Sequence, residues 1–116
     1  MSLALLSSTS LVNTSVKNNE KQDIGTITDL MIDITHGQIA YAVLSFGGFM
    51  GLGDKLFAIP WQALTVNKTD ETLILNVSKE MLRKADGFDK DDWPDMADVQ
   101  WNYNTHTFYG YPPYWD

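Results

Sequence analysis

The sequence feature that most constrains the fold is a long stretch of β-forming residues from Asp23 to Phe46, interrupted once by a turn. In its first half every second residue is apolar or threonine, whereas Asp29 and Asp33 fall on the opposite face. Successive side chains of a strand point to opposite faces, so this period of two predicts a strand with one buried face. The residues expected on that face are Ile24, Thr26, Thr28, Leu30, Ile32 and Ile34.

The second half of this stretch is apolar on both faces. Thr35-His36-Gly37-Gln38 supplies a turn that contains glycine, and residues 39–46 continue as an almost wholly apolar strand. A strand of this kind must be covered on both sides. We expect the interior of a barrel to cover one side, and either the C-terminal tail or a second copy of the chain to cover the other.

Further short strands follow. Residues 55–60 form a strand that ends at Pro60, which has no amide hydrogen to continue a ladder. Residues 64–67 and 73–77 flank the polar turn 68–71 and indicate another hairpin. The sequence therefore predicts a mainly β fold, a small barrel of about six short strands joined by tight turns.

The C-terminal part of the chain is expected to be helical. Ser78 is a candidate N-cap for a short helix through Lys84, and Asp95 for a longer helix from Met96 to about Tyr109, which Gly110 would end. A chain of 116 residues fits one domain. We divide it into a barrel at residues 1–80 and an acidic, aromatic-rich helical extension at 81–116 that packs on the barrel.

Composition and charge indicate where the protein is located and what it does not bind. The chain has no cysteine and no apolar run of membrane-spanning length, and we expect it to be cytoplasmic. Its net charge is −7, and residues 86–116 hold seven aspartates against Lys90. Because nucleic acids and anionic lipids carry the same charge, we expect no nucleic-acid binding and no membrane insertion. Peripheral association with a membrane complex stays open.

Three runs of the chain, at residues 24–33, 37–48 and 51–61, closely resemble the PRC-barrel family. That family is named after the cytoplasmic domain of a protein of the photosynthetic reaction centre, and a similar barrel forms the C-terminal domain of a factor that matures the small ribosomal subunit. The resemblance covers about residues 5–77 as barrel. Residues 87–94 resemble the tail of stand-alone bacterial members, and the chain is similar to that group.

The resemblance implies a binding role. The family has no shared catalytic residues and acts mainly in docking and assembly, so it implies a non-catalytic protein-interaction or assembly module without a cofactor. One alternative is an accessory of a membrane electron-transport complex, similar to the photosynthetic reaction-centre member. A third is an accessory in RNA processing or ribosome maturation, which the acidic charge disfavours.

The glycine-rich segment 47–53 is the first candidate interaction site. It lacks the Gly-Lys-Ser/Thr ending of a phosphate-binding loop and precedes a strand, so phosphate binding is disfavoured. It does carry three large apolar side chains, Phe49, Met50 and Leu52, where a loop is usually polar. These residues either form an interface with a partner or a second copy, or fold back on their own barrel.

The aromatic residues of the tail are the second candidate site. They include Trp93, Trp101, Tyr109 and Trp115, which we select as interface candidates, and they alternatively form a structural lid over the barrel. Stacking on single-stranded bases would require a positive groove, and this segment is acidic. Together with Phe49, Met50 and Leu52, these residues lead us to expect a homodimer.

Metal binding and catalysis are not indicated by the polar residues. The aspartates of residues 86–98 do not have EF-hand spacing, since Pro94 and Gln100 fall where glycine and glutamate are required. His36 and His106 have no second histidine or nucleophile at ligand or catalytic spacing, and each is expected to be at the surface or partly buried. We therefore predict no metal site and no catalytic residue.

Overall fold

The structure is a computed structural model of the chain, and it describes residues 5–47, 54–67 and 69–115. The helices are α1 (Ser8–Leu11), α2 (Lys79–Lys84) and α3 (Val99–Tyr109), and a short 3-10 helix spans Trp61–Ala63. The strands are β1 (Ser15–Lys17), β2 (Asp23–Asp33), β3 (Gln38–Gly47), β4 (Asp54–Pro60), β5 (Leu64–Asn67) and β6 (Thr72–Leu75).

All six strands belong to one curled sheet, in the order β4-β3-β2-β1-β6-β5. Neighbouring strands are antiparallel except for β1 and β6, which pair in parallel. The mainly β fold predicted from the sequence is confirmed. Strand β1 has only three residues, and the sequence pattern did not reveal it.

The concave face of the sheet holds the main core. Alternate residues of β3 and β4 point into it, and Leu11 of α1 and Leu82 of α2 close it from outside the sheet. Its buried strand residues are Val16, Ile24, Ile27, Ala42, Leu44, Phe46, Phe57, Ile59, Leu73 and Leu75.

The predicted period of two in β2 holds at Ile24 and at Leu30, which packs against the core, but it does not hold along the whole strand. Ile24 and Ile27 are both fully buried although they are three positions apart, and the pairing of β2 with β1 and β3 is irregular at several points. Such bulges change which face a side chain occupies. Ile32, near the end of β2, and Ile34, just beyond it, were expected on the buried face and are exposed.

Helix α3 of the tail packs against the second face of the β3–β4 pair. The ring of Trp101 lies edge-on to the ring of Tyr41, with 5.3 Å between the ring centroids, and Val43 beside it in β3 is fully buried. The tail thus provides the second cover that the apolar strand required.

The helix ends follow local hydrogen bonds. Helix α2 begins as predicted, with Ser78 Oγ accepting the Met81 amide hydrogen at 3.1 Å. Helix α3 begins at Val99 and not at Met96, because Asp98 is its N-cap and accepts the Gln100 amide hydrogen at 2.9 Å. Asp95, the predicted cap, instead accepts the Ala97 amide hydrogen within the preceding turn.

The tail also covers the edge of β4. Leu56 and Phe88 exchange two backbone hydrogen bonds, each 2.9 Å long. This pairing satisfies groups that an open strand edge would present to other chains. The segment between α2 and α3 is thereby fixed to the sheet.

Candidate functional site

A groove lies where the β2–β3 hairpin meets the tail. It has a volume of about 680 Å³ and runs between the end of β2, the start of β3, the segment that precedes α3, and the last residues of the chain. We call it the hairpin groove. Its lining residues are Met31, Ile32, Asp33, Ile34, Thr35, His36, Ala40, Tyr41, Met96, Ala97, Val99, Asn102, Tyr114 and Trp115.

Three aliphatic side chains of this groove are strongly exposed to solvent. Ile34 is 91% exposed, Val99 60% and Ile32 57%. They come from two segments that are distant in sequence and meet only in the folded chain. Single exposed apolar residues are ordinary on protein surfaces, but several together in a groove are typical of an interaction site.

Asp33 organises the polar end of the groove. Its Oδ1 accepts the amide hydrogens of Thr35 and His36 at 3.0 and 3.1 Å. Its Oδ2 accepts the hydroxyl hydrogen of Tyr114 at 2.6 Å and lies 2.8 Å from His36 Nδ1. These hydrogen bonds, that of Tyr114 foremost, lower the pKa of Asp33 to about 2. The pKa of Tyr114 is raised, first by burial and then by Asp33.

Asn102 fixes the opposite wall. Its side-chain oxygen accepts the Tyr41 hydroxyl hydrogen at 2.5 Å, and its Nδ2 donates to the carbonyl oxygens of Met96 and Asp98 at 3.0 and 2.8 Å. One side chain therefore joins β3, the segment before α3 and the first turn of α3. This arrangement holds Met96 and Val99 in place along the groove.

His106 is buried behind the groove, with 1% of its surface exposed, so the expectation of a surface or partly buried histidine is wrong. Its Nδ1 lies 2.9 Å from the Asn102 carbonyl oxygen, which can only accept a hydrogen, and we therefore assign the proton to Nδ1. Nε2 is buried and has no hydrogen-bond partner in the described part of the chain. Burial lowers the pKa of His106. No sequence spacing signalled this position.

The structure places the predicted interface aromatics in different settings. Trp101 packs on Tyr41, Tyr109 packs against the main core, and burial raises the pKa of Tyr109. Trp115 lies edge-on to His106 at 4.8 Å and lines the hairpin groove. Trp93 is exposed, and its ring is tilted against that of Phe88 with 5.0 Å between the centroids. It donates its indole hydrogen to the Lys90 carbonyl oxygen.

The hairpin groove thus contains one of these four aromatics, Trp115. Phe49, Met50 and Leu52 lie outside the described residues. An interface formed by these seven residues stays a prediction. The exposed aliphatic residues of the groove were not predicted from the sequence, because the regular alternation in β2 assigned two of them to the buried face.

The groove is mainly apolar, and its polar groups already have partners. Within residues 5–47, 54–67 and 69–115, no group of three or more histidine or acidic side chains is placed to hold a metal ion. Both carboxylate oxygens of Asp33 are occupied by groups of the hairpin and the tail. The groove offers apolar surface with a fixed polar end, which is typical of sites that bind apolar groups.

The fold defines a class of small curled β domains with a C-terminal helix. The chain belongs to the PRC-barrel family, since the family model described as PRC-barrel domain matches residues 5–82. One similar solved structure is that of a protein from Pseudomonas aeruginosa described as a 16S ribosomal RNA processing protein, RimM. The identity is 16% and the TM-score 0.43, over 65% of this chain and 45% of that one.

A comparison with curated protein sequences gives no match. Among the helices that the structure describes, none is both long and apolar enough to cross a membrane.

Proposed function

We propose that this protein is a non-catalytic interaction module that binds a protein partner through the hairpin groove. The observation that carries the proposal is the convergence of Ile32, Ile34 and Val99, all strongly exposed, on one groove. Membership of the PRC-barrel family supports it, because the family resemblance implies docking and assembly. We expect the partner to be met in the cytoplasm.

Burial of these side chains by a partner would stabilise a complex. Removing a fully exposed isoleucine or valine from water contributes about 2 kcal/mol. Ile34 is almost completely exposed, so nearly all of this contribution is still available to a partner. Val99 and Ile32 are a little over half exposed and would add smaller contributions of the same kind.

The groove is also held in shape before a partner arrives. Asn102 fixes one wall, and the hydrogen bond from Tyr114 to Asp33 fixes the tail against the hairpin. Binding to a preformed site avoids part of the entropy cost of ordering side chains. This favours a role in recognition of a defined segment.

The test is crosslinked capture from the host with three tagged baits. They are the native protein, the groove variant Ile34→Ser/Val99→Ser, and Val66→Ser as the control. Val66 is 42% exposed but lies on β5, at the far end of the sheet order. We expect a protein that the native and control baits recover and the groove variant loses. Equal recovery by all three baits would refute the groove as the binding surface.

Self-association is the second part of the proposal, and it concerns Phe49, Met50, Leu52 and the tail aromatics. Apolar loop residues of this kind are suited to an interface between two copies of the chain. We expect light scattering at high micromolar concentration to give a dimer mass, and Phe49→Ser to lower it. A monomer mass for both proteins would remove self-association from the proposal.

A further inference from the structure

We infer that the segment bound in the hairpin groove is both apolar and positively charged, a stretch of a protein partner in which aliphatic side chains alternate with lysine or arginine. This inference rests on the proposed function and adds the chemistry of the partner to it. It is carried by the charges around the groove.

Among the lining residues that the structure describes, no lysine or arginine would repel a positively charged residue of a bound segment. No lysine or arginine is among the lining residues that the structure describes, and the one basic side chain is His36, held by Asp33. The lysine and arginine residues that the structure describes are at other positions of the chain. They are Lys17, Lys21, Lys55, Lys79, Arg83, Lys84 and Lys90.

Two carboxylates flank the apolar wall. Asp95 precedes the lining residue Met96, and Asp98 lies between the lining residues Ala97 and Val99. Both aspartates are exposed, and neither is itself among the lining residues. Each uses Oδ1 to accept a backbone amide hydrogen of its own turn. A basic residue of a bound segment can therefore pair with these carboxylates while its neighbours fill the groove.

The apolar lining suits such a segment as well. Met31 and Met96 have flexible side chains that adapt to aliphatic groups of different shape. Trp115 is a lining residue, and an aromatic ring is a favourable neighbour for a lysine or arginine. Anionic lipids and nucleic acids, in contrast, would meet a surface of their own charge.

The test uses three fluorescein-labelled twelve-residue peptides and fluorescence anisotropy. The first peptide alternates leucine with lysine, the second has glutamate for every lysine, and the third has serine for every leucine. We expect the first peptide to bind the native protein, with weaker binding at higher salt, and the other two to bind much more weakly. Apolar and charged contacts are then both required.

Two charge variants locate the binding. Asp95→Asn/Asp98→Asn removes the flanking charges, and asparagine preserves the caps. Glu20→Gln/Asp23→Asn removes two charges at the opposite end of β2 from Asp33. We expect the first variant to weaken binding about fivefold, as for two surface ion pairs, and the second to have no effect.

Several results would overturn the inference. Equal binding of the glutamate peptide, equal binding of the serine peptide, equal effects of the two charge variants, or no binding of any peptide would each do so. The proposed function fails separately, when the Ile34→Ser/Val99→Ser bait still recovers the same partner as the native bait. The two failures are therefore distinguishable.

Discussion

The hydroxyl of Tyr114 donates a hydrogen bond of 2.6 Å to the carboxylate of Asp33, which lies 81 positions earlier in the chain. The ring of Tyr114 also lies edge-on to that of His36, with 5.9 Å between the centroids. This contact joins the last turn of the tail to the β2–β3 hairpin. It closes one end of the hairpin groove, so the groove shape depends on it.

Loss of the Tyr114 hydroxyl should raise the pKa of Asp33. The hydrogen bond from Tyr114 is the largest cause of the shift from 3.8 to about 2. In Tyr114→Phe we expect the pKa of Asp33, followed by the carboxyl carbon signal in NMR, to move back towards 3.8. Tyr111→Phe, which removes a tail hydroxyl outside this network, serves as the control. An unchanged pKa in Tyr114→Phe would mean that the contact does not persist in solution.

The lowered pKa of Asp33 also predicts how the free energy of unfolding changes in acid. Because the folded pKa of Asp33 is below its unfolded value, the unfolded chain takes up the proton first as the pH falls. The contribution of Asp33 to the free energy of unfolding is complete above about pH 4 and is lost between about pH 4 and pH 2. We expect urea denaturation to show a smaller loss over this range for Tyr114→Phe than for the native protein. Equal losses would contradict this.

Protonation of His106 should destabilise the fold. Burial lowers its pKa below 6.5, so the unfolded chain binds a proton that the folded chain does not. The free energy of unfolding is therefore expected to fall as the pH decreases below 6.5. The imidazole signals of His106 in NMR should show less than half protonation at pH 6.5. Signals of a half-protonated ring at that pH would contradict the account.

Glycine is required at position 25, where the backbone of β2 lies close against β3. Its φ is +147°, and a Cβ at this position would lie 2.2 Å from the Ser45 carbonyl oxygen. We expect Gly25→Ala to lower the free energy of unfolding by about 3 kcal/mol, because overpacking and backbone strain add. Gly37→Ala, in the exposed turn where a Cβ meets nothing within 4 Å, should cost about 1 kcal/mol. Equal losses in urea denaturation would contradict this explanation.

The fold was predictable from local patterns, whereas the groove was not. The start of α2 at Ser78 and the apolar strand β3 were predicted correctly, because helix capping and the spacing of apolar residues are local properties of the chain. The exposure of Ile32 and Ile34 depends on where β2 ends and on which side chains the tail covers, and the local pattern of residues does not show either. The contacts of Asn102 and Tyr114 depend on how the tail folds back on the sheet.

The central claim is that a protein partner occupies the hairpin groove. Its most direct test is photo-crosslinking in the host, with a benzophenone amino acid at position 34 and, as control, at position 66. We predict a discrete crosslinked protein from position 34 and none from position 66. Absence of a crosslink at position 34, or the same product from both positions, would contradict the account.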